Sequence, residues 1–197
     1  MKNVKVKKII IKRKEGLNFA KLSGDNNPIH ISKETGNKSQ FGENIVHGSL
    51  ALIKILKKIK IKNFASINTD FLSIIKYNLN CEIKLLKKSK KKVIYKVYQE
   101  EELKIVLEIF YKEKEKINKL KKTTFKKKIK ILDSKKKSFY DKKIDSNLKL
   151  ILSELSKYVG VIYPGKYSLI NNWDISTYDL QKYDYSKIFD NNKIVQS

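Results

Sequence analysis

Apolar residues recur with two different periods along the first half of the chain. Between Gly48 and Lys60 they cover nearly the whole circumference of a helix, which predicts that this helix is buried. Four later stretches alternate apolar and polar residues with a period of two, the pattern of half-buried strands. These stretches are residues 68–77, 81–86, 93–97 and 103–111. With an edge strand over residues 4–11 and a short helix over residues 15–22, they predict an α+β domain spanning residues 1–115.

The pattern changes after this domain. Residues 116–145 are rich in lysine with scattered acids, which predicts a solvated linker. Beyond the linker, apolar residues return at helical spacing as far as Gly160, which can close the helix. A turn and a strand follow within residues 161–170. Residues 146–197 therefore predict one helix with one or two strands, too few for a complete second sheet.

The net charge of +25 is carried almost wholly by lysine, because Arg13 is the only arginine among 197 residues. A strongly basic chain attracts nucleic acids, phosphorylated ligands and acidic proteins. Direct reading of bases relies on the planar fork of arginine, so the near-absence of arginine argues against a nucleic-acid partner. Lysine, isoleucine and asparagine are abundant together and share AT-rich codons, which favours compositional bias as the source of the charge.

The only cysteine, Cys81, excludes an internal disulfide and is typical of a reducing compartment. The apolar run at residues 9–11 is too short for a secretion signal or a membrane span, and no later window is long enough. These features predict a cytoplasmic protein without membrane association.

An acid and an imidazole stand close together in the sequence. Asp25 and His30 are separated by Asn26-Asn27-Pro28, a strong turn signal after Ser23-Gly24. Because Pro28 fixes its own φ and restricts Asn27, the turn can hold an acid and a base at a fixed separation. The same turn, considered alone, could instead be a capped loop in which Asp25 satisfies local backbone donors.

Gly48 adds an electrophilic element, because it starts the predicted buried helix. The first backbone N–H groups of a helix have no partner within it and favour a polarised carbonyl oxygen. An acid, an imidazole and such a donor are the minimum set for moving water and a proton next to a carbonyl.

Two separated blocks carry a family resemblance. Residues 19–30 read Phe-Ala-Lys-Leu-Ser-Gly-Asp-Asn-Asn-Pro-Ile-His, and residues 45–48 read Ile-Val-His-Gly. Both blocks and their spacing resemble the MaoC-like dehydratases, the (R)-specific enoyl-thioester hydratases of the hotdog superfamily. The resemblance implies a hotdog fold, an antiparallel sheet wrapped round a central helix, with residues 146–197 as a partial second hotdog-like unit.

The resemblance also implies an activity, that of a hydro-lyase which reversibly hydrates trans-2-enoyl thioesters to (R)-3-hydroxyacyl thioesters without metal or cofactor. In it, Asp25 and His30 activate the water and the N–H of Gly48 polarises the thioester carbonyl. Asn27, His47 and Ser49 are the predicted substrate-binding residues, although Asn27 also suits shaping the loop and His47 suits packing at the helix entrance. The implied partners are an acyl-CoA or acyl carrier protein thioester and a second copy of the chain in a homodimer.

The chain departs from the family pattern in two places. The strand connection that usually reads Pro-Val-x-x-Gly-Asp is Ile-Ile-Lys-Tyr-Asn-Leu at residues 74–79, and Leu56 stands where the hydratases often have a small polar residue. These departures favour an alternative, a catalytically silent hotdog module for acyl recognition or assembly. A basic nucleic-acid-binding protein is the second alternative, but it leaves Asp25, His30 and Gly48 unexplained.

Overall fold

The computed structural model describes residues 6–61, 64–111, 146–162, 165 and 169–176. The elements in chain order are β1 Val6–Ile10, α1 Arg13–Ser23, α2 Pro28–Ile31, α3 Lys33–Lys38, α4 Gly48–Ile59, β2 Phe64–Phe71, β3 Asn80–Lys88, β4 Lys92–Gln99, β5 Glu102–Tyr111, α5 Ser146–Lys157, a π-helical turn Tyr158–Ile162 and β6 Asn172–Ser176. The predicted linker, residues 116–145, lies outside the described residues. None of the helices in the described part of the chain is long and apolar enough to cross a bilayer.

The strands form one antiparallel sheet in the order β1-β3-β4-β5-β2-β6. The alternation predicted for residues 103–111 is confirmed in β5, where Ile105, Leu107 and Ile109 are fully buried. These three side chains share one face of the sheet because successive strand residues point to opposite faces.

Helix α4 is the centre of the fold. Seven of its residues are buried, Ser49 to Ile53 together with Ile55 and Leu56, which confirms the prediction from its apolar circumference. Its side chains belong to the same apolar cluster as those of the sheet, and α5 packs against it. Each Leu or Ile buried in this way contributes about 1.5–3 kcal/mol. A helix enclosed by an antiparallel sheet is the hotdog fold.

Strand β2 differs from the prediction, which placed a strand over residues 68–77. The observed strand begins at Phe64 and ends at Phe71, and the chain then leaves the sheet. Of the apolar residues that follow, Ile75 is buried, and its carbonyl accepts the Val46 N–H at 2.8 Å from the loop before α4. The apolar character of Ile75 therefore reflects burial outside the six described strands.

Asn78 replaces the glycine that the family pattern has in the β2–β3 connection. Its φ of 64° is left-handed, a conformation that asparagine tolerates better than most residues. Its N–H donates to the carbonyl of Ile11 at 2.9 Å, and its side chain accepts the N–H of Arg13 at 3.3 Å. The connection therefore closes a tight turn without glycine.

The described part of the C-terminal segment adds to the same helix layer and the same sheet. Helix α5 packs against α4 and α1, and β6 pairs with β2 along its length. Most of the turn and strand predicted within residues 161–170 lies outside the described residues, and the described strand of this segment is Asn172–Ser176. On α5, Leu148 and Leu152 are buried as their spacing predicts, but Leu155 is exposed, and two serines take buried positions. The division of the chain into a hotdog domain, a linker and a partial second unit stays a prediction.

Candidate active site

The loop that carries Asp25 is fixed by contacts along its own backbone. Helix α1 is capped by Gly24, whose φ of 80° is left-handed and whose N–H donates to the Ala20 carbonyl at 2.8 Å. The hydroxyl of Ser23 accepts the N–H of Asp25 at 3.1 Å. Oδ1 of Asp25 accepts the N–H of Asn27 at 3.2 Å. Asp25 is therefore held in an Asx turn, and it is 2% exposed.

His30 lies on the short helix α2 that follows. The Asn27 side chain caps this helix by accepting the Ile29 N–H at 3.4 Å, and Pro28 takes the first helical position. His30 is buried, with Nδ1 at 2.9 Å from the carbonyl of Ile45. Since a carbonyl only accepts, Nδ1 carries a proton, and Nε2 of the neutral ring keeps a lone pair.

The surroundings keep the His30 ring neutral. Burial lowers the pKa of His30, and the charge of Asp25 and the hydrogen bond to Ile45 only partly oppose this effect. A neutral imidazole close to a carboxylate can accept a proton from a bound water molecule.

His47 packs behind this pair. Its ring lies against that of His30, with 4.0 Å between the centroids. Its Nε2 donates to the backbone carbonyl of Asp25 at 3.2 Å, and its Nδ1 accepts the Tyr77 hydroxyl at 3.4 Å. Burial and the neighbouring His30 lower the pKa of His47 to about 2. Tyr77 reaches this position because Gly16 leaves room, since a Cβ there would lie 2.0 Å from the Tyr77 hydroxyl.

Asp25, His30 and Gly48 line one cavity of about 310 Å³. Its other walls are largely apolar and include Phe41, Ile45, Val46, Ala51, Phe71, Leu72, Ile74, Ile75, Val159, Leu169 and Ile170. Gly48 begins α4, as predicted, so the helix end whose first N–H groups have no partner within the helix lies at the cavity wall. A Cβ at Gly48 would lie 3.3 Å from the Phe71 ring. The absence of a side chain therefore keeps the helix end open to the cavity.

The three predicted substrate-binding residues do not line this cavity. Asn27 caps α2, His47 holds the Asp25 carbonyl, and Ser49 is buried with its hydroxyl unbonded within the described residues. This placement favours the structural roles that the sequence also suggested for Asn27 and His47.

Two residues of the C-terminal segment touch Asp25. The hydroxyl of Ser156, on α5, donates to Oδ2 of Asp25 at 2.6 Å. Gly160, in the π-helical turn, lies so close that a Cβ there would be 2.3 Å from Oδ1. Sequence analysis missed both residues, because it assigned Gly160 to helix closure and Ser156 to no role. The only signal was polar residues at helical spacing among the apolar ones.

Arg13 was also missed as a structural residue. One of its nitrogens donates to the carbonyl of Ile31 at 2.9 Å, and another donates to the side chain of Asn44. The Asn44 amide in turn donates to the carbonyls of Ile29 at 3.0 Å and Ser32 at 2.7 Å. This network fixes α1 against α2, and so sets the position of Asp25 relative to His30.

Asp25, His30 and His47 also form a group that could be considered for a metal ion, since their ligand atoms lie within 4.8 Å of one another. Each histidine, however, donates one ring proton to a backbone carbonyl, and His47 Nδ1 accepts from Tyr77. A metal bound by all three would have to displace the Tyr77 hydroxyl. The hydrogen bonds therefore favour proton transfer over metal ligation.

The chain is similar to a family of known proteins and to several solved structures. Residues 1–129 match the family model described as MaoC like domain. An (R)-hydratase from A. caviae involved in PHA biosynthesis is 19% identical with a TM-score of 0.44, over 54% of this chain and 91% of that one. An R-hydratase from Pseudomonas aeruginosa is 23% identical with a TM-score of 0.44, over 56% of this chain and 81% of that one. A MaoC-like dehydratase from Phytophthora capsici is 19% identical with a TM-score of 0.47, over 56% of this chain and 40% of that one. No curated protein matches the chain.

Proposed function

The chain belongs to the MaoC-like domain family, and from that premise we propose that it is a hydro-lyase that adds water reversibly to trans-2-enoyl thioesters. The observation that carries the proposal is that Asp25, His30 and the start of α4 border the same apolar cavity. An acid-base pair and a carbonyl-polarising helix end are what this reaction needs in one place.

In the proposed reaction, the pair of Asp25 and neutral His30 takes one proton from a bound water. The water oxygen then bonds to C3 of the enoyl group, and the C2–C3 π electrons move toward the thioester oxygen. The pair returns a proton to C2, which gives the (R)-3-hydroxyacyl product with water as the only reactant added. Positioned acid-base groups of this kind supply about 10²–10⁴-fold in rate.

The N–H of Gly48 stabilises the negative charge that develops on the thioester oxygen. A donor at a helix start is already oriented and lies at the positive end of the helix dipole. One such donor typically contributes about 3 kcal/mol to the transition state.

The acyl chain occupies the apolar cavity, and the carrier lies outside it. The lysine-rich surface of the chain, with a net charge of +25, would attract the phosphates of coenzyme A or an acidic carrier protein. We expect a homodimer, as the family resemblance implies, and a cytoplasmic location, as the single cysteine and the short apolar run at residues 9–11 predict. Sedimentation that shows only monomer at micromolar concentration would exclude the dimer.

One observation favours the silent acyl-recognition module as a second candidate. Asp25 is 2% exposed, and both of its carboxylate oxygens already accept hydrogen bonds. Each oxygen nevertheless keeps a second lone pair for water, so the contacts are also compatible with catalysis.

Hydration of crotonyl-CoA and of a longer enoyl-CoA, followed by loss of the enoyl absorbance, separates the two candidates. The wild type should turn over, and Asp25→Asn and His30→Ala should each lose about 10²–10⁴-fold in kcat while remaining folded. Asp174→Asn, which changes an exposed acid on β6, is the control and should keep wild-type activity. No turnover by the wild type on any chain length or carrier would favour the silent module.

A further inference from the structure

The carboxylate of Asp25 accepts one hydrogen bond from a neighbour in the sequence and one from a distant residue. Asn27 donates its N–H to Oδ1 from two residues away, whereas Ser156 donates its hydroxyl to Oδ2 from 131 residues away. Ser156 is itself buried, at 2% exposure, and it lines the same cavity as Asp25. A short hydrogen bond between a hydroxyl and a buried carboxylate is among the stronger ones in proteins.

The end of α5 is shaped to reach this carboxylate. Lys157 packs on the Gly24 turn, where a Cβ on Gly24 would lie 3.2 Å from the Lys157 side chain. Gly160 packs against Oδ1 of Asp25. Ser156 immediately precedes Lys157 in the sequence. Residues 156–160 therefore touch the Asp25 turn at three points, and they lie beyond residue 129, where the family match ends.

We propose that Ser156 is a positioning residue, whose hydroxyl fixes the orientation of the Asp25 carboxylate toward the water and substrate in the cavity. The inference rests on the proposed hydration. Together, the Asn27 N–H and the Ser156 hydroxyl hold one carboxylate oxygen each, which sets the plane of the group. The C-terminal segment thus completes a site whose reacting groups all come from residues 25–48.

Ser156→Ala tests this role beside a matched control on the same helix. Ser153 is also buried, but its hydroxyl donates to the carbonyl of Lys149 at 2.8 Å and not to Asp25. In full-length protein with crotonyl-CoA, Ser156→Ala should lower kcat about 10-fold or more, because a hydrogen bond to a charged group is lost. KM should stay within about 2-fold, and Ser153→Ala should keep wild-type kcat. Ser156→Cys keeps the volume and weakens the donor, so it carries the same test if the alanine variant does not fold.

A second readout does not depend on turnover. The backbone amide of Asn27 donates to Oδ1 of Asp25, so its amide resonance in an isotope-labelled sample reports the carboxylate orientation. Ser156→Ala should shift this resonance clearly more than Ser153→Ala does. Equal shifts in the two variants, or unchanged kcat in an active Ser156→Ala enzyme, would overturn the positioning role. A wild type without turnover would instead overturn the hydration, and the amide resonance would still decide the role of Ser156.

Discussion

Asp25 is held by two parts of the molecule that differ in how they depend on the fold. On the local side, the Gly24 cap and the Asn27 N–H act within the loop itself. On the remote side, Ser156 and Gly160 reach the same carboxylate only because α5 docks on α1 and α4. Local contacts form wherever the turn forms, but remote contacts require the whole tertiary structure. Changes on the remote side can therefore alter the orientation of the Asp25 carboxylate without removing the acid-base pair.

Among changes that leave both Asp25 and His30 in place, the largest effect is expected from Gly160→Ala, which disrupts the remote side. The added methyl would lie 2.3 Å from Oδ1, so the carboxylate or the π-helical turn must move. A displacement of about 1 Å at a reacting group can cost about 10²-fold, and we expect a loss of that order in kcat. Steady-state kinetics beside circular dichroism would show it.

The control for Gly160→Ala is Val161→Ala, the next residue, which is 45% exposed and should keep full activity. Wild-type kcat in a folded Gly160→Ala variant would mean that the contact with Asp25 is not close enough to matter.

A smaller effect concerns pH and the ring of His47, which holds the backbone of Asp25 from 22 residues away. Burial lowers the pKa of His47 to about 2, whereas an imidazole in an unfolded chain titrates near about 6.5. Between these values only the unfolded chain binds the proton. The contribution of His47 to the free energy of unfolding is therefore fully present above about pH 6.5 and falls as the pH drops toward 2. His47 alone contributes a slope of up to about 1.4 kcal/mol per pH unit.

Urea unfolding at several pH values between about 7 and 4 measures this slope. His47→Asn should flatten the dependence by about one proton, and His30→Asn should flatten it further, because burial lowers the pKa of His30 as well. Equal slopes in the wild type and in His47→Asn would show that the ring is not buried in its neutral form.

The smallest effect is expected from Asn27→Ala. This change removes the side-chain cap of α2 and should cost about 1 kcal/mol of stability. The Asn27 N–H to Asp25 remains, so kcat should fall less than in Ser156→Ala. A larger fall in kcat for Asn27→Ala than for Ser156→Ala would reverse the comparison between the two sides.

The same contrast explains what the sequence could predict. The Asp25 turn, the buried α4 and the alternation in β5 follow from local signals, namely Gly24 and Pro28, an apolar circumference and a period of two. The predicted end of β2 was wrong because Ile75 and Tyr77 are buried although they lie beyond the last residue of the strand, Phe71.

Contacts across long stretches of sequence left no local signal. The reach of Ser156 to Asp25 spans 131 residues and depends on how α5 docks, which no periodicity encodes. The Tyr77 bond to His47 depends on the space left by Gly16 in another helix. The sequence marks Arg13 only as the single arginine. Its role in joining α1 to α2 is visible only in the folded structure.

The most direct test of the central claim is the reaction of crotonyl-CoA with the wild type and with Asp25→Asn in heavy water. The account predicts that the wild type forms (R)-3-hydroxybutyryl-CoA with one deuterium at C2, and that the variant forms it about 10²-fold or more slowly. A wild type that forms no hydroxyacyl product, or an Asp25→Asn variant that forms it at the wild-type rate, would contradict the account.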